Sequence, residues 1–162
     1  MPPKRQQRSG MGILTAARDW VLLADDHVNG KLKFPSEVAT TRLRPDLIIY
    51  STSTKRVVSL RGTCPYEERI SAAHELKLNR YSELQVECQE NGWSCYNMAV
   101  EVGARGVVAN SLIKAAAAIG MRGRAQKKLV RDVGMEACHC SKWLYWLSRR
   151  KDWEHKDIFS DN

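Results

Sequence analysis

Asp46 in RPDLIIYS, Lys77 and Tyr81 in HELKLNRYSEL, and Glu101 in AVEVGARG are residues whose types and spacing could do chemistry together. Metal-assisted hydrolysis of a phosphodiester needs carboxylates converging on a divalent ion and a lysine to orient or deprotonate water. Asp46 begins one apolar run, and Arg61 ends the next, across a turn. Adjacent strands of a hairpin present side chains from one end of a sheet, so positions 46 and 61 are placed to act as a pair. Lys77 and Tyr81 are four residues apart, which puts both on one face of a helix.

Those placements depend on the elements around them. LIIYSTS is apolar and β-rich, and Thr54-Lys55 bounds it, so the pattern predicts a hairpin with Val57 to Thr63. Pro65 suits a first helical turn, and Glu67 and Glu68 suit the positive end of a helix dipole. A long helix to about Glu90 is expected, with Ile70, Ala73, Leu84 and Cys88 on the face that also carries His74, Lys77 and Tyr81. Asn91-Gly92 stops it, and Trp93 to Val102 reads as a buried strand. Upstream, Ile13, Leu14, Ala17, Val21 and Leu22 recur at helical spacing and predict an amphipathic helix to about Leu23, closed by Asp25, Asp26 and Asn29-Gly30. Downstream, helices are expected over Val107 to Ile119 and from Gln126 to about Ser148, with Gly120 and Gly123 between. This order gives a mixed α/β sheet flanked by helices, with a helical C-terminal extension.

The chain has 162 residues, 43% of them apolar, which suits one domain over about 11–150. Residues 1–10 read as a disordered basic arm and 151–162 as a polar tail. MPPKRQQRSG lacks the apolar core of a secretory signal, and no apolar run reaches membrane-spanning length, so an intracellular protein without membrane partners is expected. The five cysteines are an odd number scattered through the elements, which fits reduced thiols. The formal charge of +8 points to polyanions, with DNA first and RNA second among partners.

The ordered motifs RPDLIIYS, TCPYEE, AAHELKLNRYSEL, NGW and VEVGARG resemble the restriction-endonuclease-like domain of non-LTR retrotransposon reverse transcriptase proteins. That domain is a branch of the PD-(D/E)xK nuclease superfamily. The resemblance covers Pro35 to about Gly123. It implies a restriction-endonuclease-like core, magnesium-dependent DNA nicking and a nuclear location. It also implies that Asp46 is the metal-binding aspartate and that Lys77 and Tyr81 are its Lys-x-x-x-Tyr element. Arg61 stands at the second acidic position, Gly62 replaces the usual leucine, and Thr63 stands where most of the superfamily has lysine.

The exchange at position 61 changes the local charge by two units. At an effective dielectric near 20, a unit positive charge repels a divalent ion about 4 Å away by roughly 8 kcal/mol before screening. Magnesium binding and cleavage are therefore expected to be lost or weakened, with Glu101 on the following strand as a replacement ligand within plausible reach. An active endonuclease with substitute ligands and a protein-interaction module using the same fold stay open beside this reading.

Arg122, Arg124, Lys127, Lys128 and Arg131 crowd a helix N-terminal region, where the dipole favours acids instead, and phosphate contact is the use they suggest. Cys138-His139-Cys140 does not suit zinc, because neighbours on one helix point apart and no second cysteine pair has the right spacing. Trp143, Tyr145 and Trp146 are expected in a core or a docking edge.

Overall fold

Alternation in the apolar runs builds the sheet. In the computed structural model, residues 12–24 and 32–150 are described, without the side chains of Glu67 and residues 72–80. The elements are β1 (Val21–Ala24), β2 (Leu47–Ser51), β3 (Arg56–Thr63), α1 (Ile70–Glu90), β4 (Ser94–Glu101), α2 (Asn110–Ile119) and α3 (Gly123–Ser148). The sheet order is β1-β2-β3-β4; β1 and β3 are antiparallel to β2, and β4 is parallel to β3. A parallel neighbour requires a crossover, and α1 provides it. The result is an α/β fold with a mixed open sheet and helices packed on it, as expected.

The registers sort side chains onto two faces. Tyr50, Val57 and Cys95 lie level, as do Ile48, Ser59 and Asn97. On this face Ile48, Val57 and Cys95 pack with Tyr81, Leu84 and Cys88 of α1. Leu60, Met98 and Val100 belong to a second cluster with Leu112 of α2 and Val133 and Ala137 of α3. Between β3, β4 and α1 lies a polar bridge: Ser59 Oγ donates to Asn97 Oδ1 at 2.6 Å, and Asn97 Nδ2 donates to the Tyr81 carbonyl at 2.9 Å. Satisfying these groups fixes the height of α1 along the sheet, because an unpaired buried amide would be costly.

The C-terminal end of α1 is tied to the segment before β2. Asn91 Nδ2 donates to the Val38 carbonyl at 2.9 Å, Trp93 Nε1 to the Glu37 carbonyl at 3.0 Å, and the Thr40 N–H to Glu87 Oε1 at 2.7 Å. Val38 is fully buried there, and Gly92 takes the positive φ of +79° that turns the chain into β4. The turn read from Asn91-Gly92 is where it was expected.

The expected amphipathic helix from Ile13 to Leu23 does not form. A single 3₁₀ turn spans Ile13–Ala16, and the chain then becomes the edge strand β1, with Val21 opposite Tyr50 and Leu23 opposite Ile48. The physical reason is non-local: β2 offers an open row of backbone donors and acceptors, and pairing satisfies them. Asp19 secures the entry to the strand. It accepts hydrogen bonds from Ser53 Oγ at 2.6 Å, Ser51 Oγ at 2.7 Å and the Ser53 N–H at 2.9 Å. Those donors hold its carboxyl well below the usual carboxylate range, the Ser53 hydroxyl contributing most.

Helix boundaries shift by a few residues. A 3₁₀ turn over Glu67–Arg69 intervenes before α1, α2 begins at Asn110 instead of Val107, and Gly123 is the first residue of α3 instead of part of a linker. Asp25, Asp26, Asn29-Gly30, the arm 1–10 and the tail 151–162 lie outside the described residues. Among the described residues no disulfide joins the five cysteines, and no helix is long and apolar enough to cross a membrane.

Candidate functional site

The antiparallel register carries Asp46 to Arg61. Leu47 is opposite Leu60, and the Asp46 N–H donates to the Leu60 carbonyl at 3.0 Å, so Asp46 sits level with Arg61 at the end of the sheet where β3 and β4 terminate. The exposed carboxylate folds back on β3, and its Oδ2 accepts the Gly62 N–H at 2.7 Å. A side chain built on Gly62 would have its Cβ 3.8 Å from the same oxygen, an ordinary contact.

Arg61 reaches the helix. Its Nη1 donates to Tyr81 Oη at 2.8 Å, and its guanidinium carbon is 5.9 Å from the centre of the Tyr81 ring. Tyr81 is buried to all but 5% of its surface, so the arginine caps the one polar atom of an otherwise enclosed ring. The fold thus brings Asp46, Arg61 and Tyr81 to one end of the sheet. Lys77 is one helical turn before Tyr81 on α1, and its side chain lies outside the described residues, as does that of His74.

Glu101 is held apart from that group. It is 1% exposed; its Oε2 accepts from Ser111 Oγ at 2.7 Å, and its own N–H donates to the same hydroxyl at 3.1 Å. Ser111 therefore closes a loop of two hydrogen bonds between the end of β4 and the first turn of α2. Glu101 is opposite Thr63, and Arg61 is opposite Ala99, so Glu101 stands two residues beyond the Arg61 level. Two strand spacings and two residue rises place its backbone about 12 Å from that of Asp46. The two carboxylates are engaged separately, Glu101 by Ser111 and Asp46 by the Gly62 N–H. Among the described residues no three His, Cys, Asp or Glu side chains group as a metal site.

Beside Glu101, a groove of about 610 Å³ runs between β4, the start of α1 and α2, with Ile70, Ala99, Ser111 and Lys114 in its walls. Thr63 Oγ1 is buried and has no hydrogen-bond partner among the described residues. Sequence reasoning passed over Ser111, Ser59 and Asn97, because each acts through a partner remote in sequence. Only their polar type at positions within apolar surroundings could have marked them.

Arg122, Arg124, Lys127, Lys128 and Arg131 are all exposed at the N-terminal part of α3. The helix has no acidic residue in its first turn and no side-chain cap. Lys128 and Arg131 both contact Asp132, an exposed carboxylate that they hold below its ordinary range, Lys128 having the larger effect. Cys138 is half-buried while His139 and Cys140 are exposed, so the three do not converge. Trp143, Tyr145 and Trp146 are not in a core: they are exposed by 64%, 56% and 69%. No protein-family model matches the chain, and no curated protein matches it.

Proposed function

We propose that the chain is a retroelement-derived, restriction-endonuclease-like domain that binds nucleic acid and has lost magnesium-dependent cleavage. The single observation that carries the reading is the contact between Arg61 and Tyr81 at the sheet end that holds Asp46. In the nuclease resemblance, this corner would hold two acids and a metal. Here a guanidinium stands where the second acid is expected, and its hydrogen bond to Tyr81 draws it towards α1. A cation about 4 Å from a divalent ion opposes it by several kcal/mol, and each ~1.4 kcal/mol is a tenfold loss of metal affinity. The same cation would attract a phosphate, which is compatible with binding without cleavage.

Nicking of supercoiled plasmid in Mg²⁺ and Mn²⁺ tests the reading. The unaltered chain is expected to leave the plasmid intact, and Arg61→Glu to gain metal-dependent thermal stabilisation. Robust nicking by the unaltered chain that disappears in Asp46→Ala would sink it. Such a result would favour an active endonuclease with substitute ligands.

A further inference from the structure

The outward face of α3 extends the basic cluster far beyond its first turns. Arg124, Lys128, Arg131, Lys142, Trp146 and Arg149 follow one another at steps of four, three, eleven, four and three residues, all close to whole helical turns, and all six are exposed. They form one stripe about 37 Å long at 1.5 Å per residue. The packed surface covers the opposite side of the helix and one flank. Val133 and Ala137 join the core cluster there, and a Cβ built on Gly134 would lie 2.7 Å from the Gly106 carbonyl oxygen. The six stripe side chains are exposed, and Arg131 stands at the border of a groove that it lines together with Arg105, Gly106 and Cys138.

Towards its C-terminal end the stripe becomes aromatic. Trp143 is one turn before Trp146, and Tyr145 meets Trp146 edge to face with ring centres 6.1 Å apart. Arg149 donates to Tyr145 Oη at 2.7 Å and lies 5.6 Å from that ring centre. Large exposed aromatic rings beside cations provide flat surfaces next to phosphate-binding groups. That combination is what stacking of unpaired bases requires.

We infer that this face of α3 is a binding surface for single-stranded nucleic acid, with phosphates along Lys128, Arg131 and Lys142 and bases stacked on Trp143 and Trp146. The inference rests on the nucleic-acid part of the function proposed above and names its substrate class. Charge complementarity selects this occupant. A second copy of a chain of charge +8 would bring like charges together across the contact. A membrane-surface helix separates an apolar face from a basic one, whereas here Trp146 lies between Lys142 and Arg149 on the same stripe.

Fluorescence anisotropy of the full chain with labelled oligo(dT), oligo(rU) and a blunt DNA duplex is the test. Both single strands are expected to bind more tightly than the duplex, and the ratio between them assigns DNA or RNA. Trp143→Ala with Trp146→Ala should weaken single-strand binding about 10-fold or more and leave its salt slope unchanged. Phenylalanine at both positions should restore much of the loss. Lys128→Gln with Arg131→Gln should instead lower the slope of log affinity against log salt by one to two. All these side chains are exposed, and circular dichroism verifies that the variants fold. Duplex binding as tight as single-strand binding, or unchanged affinity in the double alanine variant, overturns this inference and leaves the nucleic-acid reading standing. No binding of any oligonucleotide at low salt overturns both. Self-association abolished by the alanine pair, without oligonucleotide binding, assigns the surface to a second copy and overturns it.

Discussion

The end of the sheet and the outer face of α3 both concentrate charge, but they use it in opposite ways. At the sheet end the charged groups turn inwards to partners within the fold: Asp46 to the Gly62 N–H, Arg61 to Tyr81, Glu101 to Ser111. Along α3 the cations and aromatic rings face solvent, with Asp132 as the carboxylate that Lys128 and Arg131 contact. The first region spends its polarity on positioning secondary structure. The second leaves its polarity at the surface, where the proposed nucleic-acid partner would meet it. Substitutions in the two regions should therefore separate stability from binding.

The reference point is the apolar core that supports the sheet end. Leu84 is 1% exposed, and Leu84→Ala should cost about 2 to 5 kcal/mol, read as a shift in the denaturant midpoint. Gly134→Ala probes how α3 is anchored. With Gly106 so close, the added methyl should cost about 1 to 3 kcal/mol in spite of alanine's better helix propensity. A gain in stability from this variant would mean that α3 is not seated on that loop.

Tyr81→Phe removes the acceptor of Arg61 and should cost about 1 kcal/mol in urea unfolding without altering oligonucleotide affinity. A loss of affinity instead would merge the two regions into one surface. Lys128→Gln with Arg131→Gln should do the reverse, changing stability by less than about 0.5 kcal/mol while reducing salt-dependent binding.

The smallest effect concerns acid. Because the folded-state pKa of Asp19 is depressed by the Ser53 and Ser51 donors, its contribution is fully present above the ordinary carboxylate range and is lost progressively as pH falls from that range towards the depressed folded-state value. Hydrogen exchange at Ser53 should therefore quicken as pH drops below about 4, after correction for the intrinsic rate, and Asp19→Asn should remove that dependence. Equal pH dependence in the variant would show that Asp19 does not secure the β1 edge.

Much of the frame was legible because it is encoded locally. The β2–β3 hairpin, the end of α1 at Asn91-Gly92, β4 and the two C-terminal helices follow from alternation, turn-formers and helical spacing within short windows. β1 departs from the expected helix because Ile13, Leu14, Ala17, Val21 and Leu22 fit a helix by spacing, while the partner that makes Val21–Ala24 a strand lies more than twenty residues away. Trp143, Tyr145 and Trp146 are exposed, which excludes the core and leaves the docking edge of the two expected placements. Spacing shows which residues share a face, and only packing decides whether that face is covered.

The candidate site divides along the same line. Residue types alone put an arginine where the resemblance expects an acid, and that was visible without coordinates. The sequence also determined that Lys128, Arg131, Lys142 and Trp146 lie on one side of a helix, since helical geometry allows nothing else. Tertiary structure decided that Arg61 binds Tyr81, that Glu101 is buried against Ser111 two residues beyond the Arg61 level, and that the α3 stripe is exposed. These outcomes depend on strand register and on the approach of Gly106 to Gly134, and both are set by contacts between segments that no local pattern specifies.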